Sequence, residues 1–238
     1  MQRVVRGFWG PRQESAEALA RRWKQTLDRL AGLLPEACSG AGKEGAWRNV
    51  PGSGAATALR PDEESLLDAV RAAQAADGWS DRTGSSMQFV AAGGPGWKVD
   101  VSGRAGGTSE YLLQTVVIGI RPPDGAEVPD AALLAAVAEV WEADFGGVSS
   151  DDVLDALEDD GGFAPDEPSV GWIGYLSSGR AAVLPDDITG ARKEVGSQGV
   201  LLDIAGPGDV REVLRANLRL REAGALQPLP RPMDRAAL

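Results

Sequence analysis

Two periodicities run through the chain. Residues Arg3 to Trp9 are rich in β-branched and aromatic side chains and predict a short strand, closed by Gly10 and Pro11. Ala16, Leu19, Ala20, Trp23, Leu27, Leu30, Ala31 and Leu34 then fall at spacings of three and four. That spacing places them on one helical face, and Pro35 stops the run. Residues 39–58, rich in Gly, Ala and Ser, have no period and predict a long loop with Trp47 as an anchor. A second helix is expected from Pro61, with Asp62, Glu63 and Glu64 favouring its start, Leu66, Leu67, Val70 and Ala73 inward, and Gly78 at its end. Met87 to Ala92, Trp97 to Val101 and Tyr111 to Ile120 predict an antiparallel meander, split at residues 93–96 and 102–109 by glycine-rich turns. Residues 130–143 return to a helical period, and Val170 to Leu176, Ala181 to Leu184 and Gly199 to Ile204 predict further strands. A last helix is expected from about Asp209 to Ala223.

Strands in a block between helices, without strict alternation, indicate an α+β fold: a single domain over residues 1–226, with helices packed on an antiparallel or mixed sheet. The proline-rich run 227–238 is expected to be a flexible tail. No stretch approaches the ~18 apolar residues of a membrane span, so a cytoplasmic protein without membrane contact is expected.

Composition narrows the chemistry. The 238 residues include no histidine, and Cys38 is the lone cysteine, which excludes Ser-His-Asp triads, His-containing zinc sites, Cys-x-x-Cys redox centres and intrachain disulfides. Without histidine to activate it, Cys38 reads as an incidental reduced thiol. The net charge of −11 argues against direct nucleic-acid binding. That charge is uneven: residues 1–60, 61–120, 121–190 and 191–238 carry +5, −4, −14 and +2. Residues 39–45, SGAGKEG, lack the first glycine and the hydroxyl of a phosphate-binding loop.

Asp151, Asp152, Asp155, Glu158, Asp159 and Asp160 do not have the spacing of a calcium loop, and no metal or cofactor is expected. Ser149 and Ser150 are suited to capping a short helix built on Val153, Leu154 and Leu157. Glu158, Asp159 and Asp160 then crowd the negative end of its dipole, where local stability favours cations. Two readings follow: a solubilising acidic segment, or charge that serves a partner. Among the seven tryptophans, Trp23, Trp141 and Trp172 lie on apolar faces and predict core positions, whereas Trp9 and Trp79, beside turns, are candidate contact residues.

Four segments, FWGPRQES at 8–15, VWEADFGGVSS at 140–150, VGWIGYLSSG at 170–179 and the closing run at 198–226, resemble in order and spacing the immunity protein 52 family of bacterial polymorphic toxin systems. The resemblance implies an α+β protein that protects a cell by binding a cognate toxin. It further implies that the toxin is a nuclease of restriction-endonuclease fold, encoded beside the immunity gene. The tryptophan and aspartate positions that mark the family map onto Trp9, Trp141, Asp144 and Trp172. The glycine-rich middle, 39–58 and 93–109, departs from the pattern.

A nuclease presents a positive groove, which a strongly acidic segment can occupy or flank without catalysis. The expected toxin-binding set is therefore Asp144, Asp151, Asp152, Asp155, Glu158, Asp159 and Asp160, with Trp9 and Trp79. Two other readings stand beside it: a carboxylate- or magnesium-dependent enzyme, and an acidic adaptor or chaperone.

Overall fold

The computed structural model describes residues 1–38, 47–52, 55–91, 94, 96–164, 166–185, 188, 191–196 and 199–238. The glycine-lysine run at 39–45 that fails as a phosphate loop lies outside them.

The first strand, β1 (Arg3–Trp9), leads to the long helix α1 (Ala16–Leu33), whose N-cap Ser15 accepts a hydrogen bond from the Ala18 N–H. Pro35 does not only stop that helix; it opens a short one, α2 (Pro35–Cys38). Strands β2 (Trp47–Asn49) and β3 (Thr57–Leu59) form an antiparallel pair where only loop was expected. Trp47 is buried there, as an anchor should be. Helix α3 (Glu63–Gln74) is capped by the Asp62 side chain and ends before Gly78. The meander follows as β4 (Ser85–Ala91), β5 (Lys98–Ala105) and β6 (Gln114–Arg121). Then come α4 (Asp130–Trp141), β7 (Phe145–Ser149), α5 (Asp151–Asp159) and β8 (Ile173–Ser177). The chain closes with α6 (Ser178–Ala181), β9 (Ala191–Val195), β10 (Gly199–Asp203) and α7 (Val210–Glu222).

Among the described residues, all ten strands join one antiparallel sheet in the order β3-β2-β4-β5-β6-β1-β7-β8-β10-β9. The molecule is thus an α+β single domain with helices packed on the sheet. Alternation along each strand sorts side chains between two faces. Val5 and Trp9 of β1, Val116 and Ile118 of β6, Val101 of β5 and Phe89 of β4 share one face, and all are buried. That face meets α1 and α4: a side chain at Gly103 would touch Trp23 of α1, and one at Gly7 would collide with Val137 of α4. Glycine at these two positions lets the helices sit close.

The opposite face is covered over only part of its width. Gly147 and Gly174 face each other across β7 and β8 and both abut Val170. The Val170 main chain is held by the Asn217 side chain of α7, whose amide oxygen accepts from the Val170 N–H and whose amide nitrogen donates to the Val170 carbonyl, each at 2.9 Å. Helix α5 packs on α7. Over β7, β8 and β10 the sheet is therefore sandwiched. On β4 and β5, Ser86, Gln88, Lys98, Asp100 and Arg104 stay exposed.

Two expectations are corrected. Ala181 to Leu184 is no strand: Val183 and Leu184 donate to the carbonyls of Arg180 and Ala181, continuing the turn of α6, because Arg180 is drawn inward. The run 227–238 is not frayed. Leu229 and Met233 are buried, the Met233 N–H donates to the Glu110 carbonyl, and the Gly10 N–H donates to the Ala236 carbonyl. Prolines here fix an extended path whose apolar side chains still find cover.

Candidate functional site

Helix α5 carries the acidic set. Ser150 is its N-cap residue, and Val153 and Leu157 are its buried positions, one turn apart on the inward face. That geometry turns Asp151, Asp152, Asp155, Glu158, Asp159 and Asp160 outward, and all six are exposed. None of them forms an ion pair with a described residue. The last turn holds no basic residue. The near cation, Arg221 of α7, lies 3.3 Å over the Phe163 ring and donates to the Gly161 carbonyl instead of reaching an acid. The result is an exposed helical ridge of uncompensated carboxylates, firmly seated on α7. Among the described residues no group of three His, Cys, Asp or Glu side chains is arranged to hold a metal.

Asp144 is not part of this ridge. It is fully buried, and its carboxylate is the hub of a polar knot. Arg180 Nη2 donates to Asp144 Oδ2 at 2.7 Å, while the Ser177 hydroxyl and the Leu238 N–H donate to Oδ1 at 2.9 and 3.0 Å. Arg180 also ties down the end of α7, donating from Nη1 to the carbonyls of Ala225 and Gln227, both at 2.8 Å. Its guanidinium stands 5.1 Å from the centre of the Phe145 ring. A carboxylate so enclosed pairs inside the fold and is not offered to a partner, which corrects its expected contact role. In the sequence Arg180 leaves only a faint trace, a lone arginine among small residues, SSGRAAV.

Trp9 is likewise interior, with no exposed surface, although a turn follows it. It stacks on Trp141 with ring centroids 5.2 Å apart, and Trp141 meets Trp23 edge-on at 4.7 Å. The Trp141 indole donates to the Thr26 hydroxyl at 3.0 Å. Trp172 is buried too, its indole donating to Asp130 Oδ2 at 2.9 Å, while Asp130 Oδ1 pairs with Arg3 at 3.0 Å. The positions that mark the family resemblance, Trp9, Trp141, Asp144 and Trp172, therefore all serve the interior of the fold.

Trp79 does reach the surface, with 39% of its area exposed, and borders a cavity of about 310 Å³ beside Glu14 and Asp81. It follows α3 and precedes β4, and three strands separate β4 from β7, which feeds α5. Four inter-strand steps amount to roughly 19 Å, so Trp79 and the acidic ridge are separate surface features. Tyr111 and Leu112, before β6, are further exposed large side chains at 53% and 41%. In the sequence their apolar character reads as the start of a strand, but β6 begins only at Gln114.

Cys38 is buried at the end of α2, and burial pushes its thiol up to about 11, so it is protonated at neutral pH. No helix among the described residues is long and apolar enough to cross a membrane.

Comparison with known proteins gives one family. No curated protein matches the chain. The family model described as Immunity protein 52 matches residues 4–229, from β1 into the packed carboxyl-terminal segment, and with that match spanning the sheet, its helices and the Asp144–Arg180 pair, the chain belongs to the Immunity protein 52 family.

Proposed function

We propose that this member of the family neutralises its cognate toxin by forming a one-to-one, non-catalytic complex, and that the toxin is a basic nuclease domain encoded next to it. Family membership implies an immunity protein acting against a toxin. The nuclease identity rests on an observation: the α5 ridge exposes Asp151, Asp152, Asp155, Glu158, Asp159 and Asp160 with no described cation to balance them. A helix gains nothing locally from acids in its last turn. Presented to a positive groove, the same charges accelerate encounter and orient the partners. The setting that fits is the cytoplasm of a bacterium carrying a polymorphic toxin system, where the complex forms without nucleic acid or cofactor.

The test is co-expression with the product of the neighbouring gene, scoring survival and co-purification. Protection with a 1:1 complex supports the proposal. A turnover activity of the isolated chain, or strong stabilisation by a divalent cation, would support the carboxylate-enzyme alternative instead; binding to many unrelated basic proteins would support an adaptor.

A further inference from the structure

The uncovered part of the sheet carries the opposite charge from α5. Arg6, Arg48, Lys98, Arg104 and Arg121 lie on this face by strand alternation, against Asp100 as its acid. In a chain of net charge −11 that is a local reversal. Arg6, Lys98 and Arg104 have no ion pair with a described carboxylate.

Arg6 is the most telling. It sits on central β1, its guanidinium 5.6 Å from the centre of the Phe8 ring, and its Nε is buried with no hydrogen-bond partner. Burial lowers its pKa to about 10, which still leaves it charged at neutral pH. Two hydroxyls on the same face, Thr115 Oγ1 of β6 and Ser149 Oγ of β7, are also buried without partners. Buried polar groups are normally paired, and a cation in particular gains from a carboxylate held in a forked geometry. Next to them, a groove of about 460 Å³ runs over β4, β5 and β6, lined by Gln88, Ser102, Arg104, Leu113 and Thr115 among others. Arginine beside aromatic and aliphatic surface is the composition of binding hot spots.

We infer that this open sheet face docks a carboxylate-bearing patch of the toxin, with Arg6 as the anchoring cation and Lys98 and Arg104 as its outer ring. The inference rests on the immunity reading and deepens it. The acidic helix α5 packs on α7, which itself carries four arginines against two glutamates, and both lie on the same side of the sheet as the basic face, so a partner that spans them meets an acidic wall at α5 and a basic floor. Such a footprint admits a basic surface that encloses an acidic centre and rejects the reversed orientation. An acidic protein patch is favoured over a phosphate backbone because the acids of the adjoining wall repel a polyanion.

The test uses the full chain and the neighbouring gene product, purified as an inactive variant. Lys98→Glu with Arg104→Glu, and separately Arg6→Gln, should each raise Kd about tenfold or more, with thermal unfolding of the free variants unchanged. Wild-type complex formation should protect the amides of β4, β5 and β6 edges and turns from hydrogen exchange. An unchanged Kd in both variants, while the wild-type complex forms, overturns the docking face and leaves immunity standing. No wild-type complex at all overturns both. Competition by a single-stranded oligonucleotide but not by poly-glutamate would reassign the face to nucleic acid and overturn the inference.

Discussion

Trp172 and Asp144 occupy equivalent depths in the fold, and each is tied to a partner from a distant part of the chain. Replacing Trp172 by alanine removes a buried indole and leaves Asp130 with Arg3 as its partner, so a loss of about 3 to 5 kcal/mol is expected in equilibrium denaturation. Asp144→Asn strands the Arg180 guanidinium in an interior with no exposed surface on either side chain. Breaking such a pair costs about 3 to 5 kcal/mol, and the same unfolding experiment reads it. By contrast Cys38→Ser should retain protection of toxin-exposed cells, since a thiol pushed up to about 11 by burial contributes no nucleophile at neutral pH. Loss of protection by a folded serine variant would reveal a covalent or redox role. The core position of Trp172 was legible from the apolar run around it. Asp144 was not, because a single acid in a sequence gives no sign of the arginine it will meet 36 residues later.

At the scale of elements, the long amphipathic helices were legible and the short strands were not. The three-four spacing of α1 and α7 is imposed by burial of one face, so it survives in the sequence. Strands β2 and β3 are three residues each and owe their pairing to β4, which no local pattern records. In β7, Gly146 and Gly147 look like a break; they pair with Gly7 and Arg6 of β1, and they are glycine because a side chain would collide with the backbone of Arg6 at Gly146 and of Gly171 at Gly147. Edge strand β9, ARKEV, hides its strand character behind charges that also discourage pairing with other chains. For α5 the helix was legible from its first-turn acids and its apolar spacing, while Ser150 holds the N-cap position without a side-chain cap bond and Ser149 ends β7; the acids supply the next prediction. Changing Asp155, Glu158, Asp159 and Asp160 together to asparagine or glutamine should leave the fold nearly unaltered, because exposed charges contribute little. Association with the toxin should slow by about tenfold or more at low ionic strength, with a flatter salt dependence in stopped-flow measurements. An unchanged on-rate with protection retained would reduce the ridge to a solubilising surface.

The whole molecule depends on its last dozen residues more than their proline content suggests. They cross from α7 to the end of β1, burying Leu229 and Met233, and the Leu238 N–H completes the coordination of Asp144. Removing residues 227–238 should cost about 3 kcal/mol or more, seen as a lower denaturation midpoint, because it opens apolar surface and unseats a buried carboxylate together. A flexible tail would give no change.

The position of β1 in the sheet sets a schedule for the cell. β1 is made long before either of its neighbours, yet it is the seam of the fold, with β6 on one side and β7 on the other. Arg3 waits for Ile120, and Val4 waits for Ser149. At roughly 5–20 residues per second of synthesis, the interval between translating β1 and β7 is about 7 to 28 seconds, and until then the two halves of the sheet have nothing to join them. A nascent chain in which β7 is still untranslated thus has no joined sheet and offers no partly working shield, so a cell facing the toxin is served by a standing stock of this protein rather than by translation begun when the threat appears.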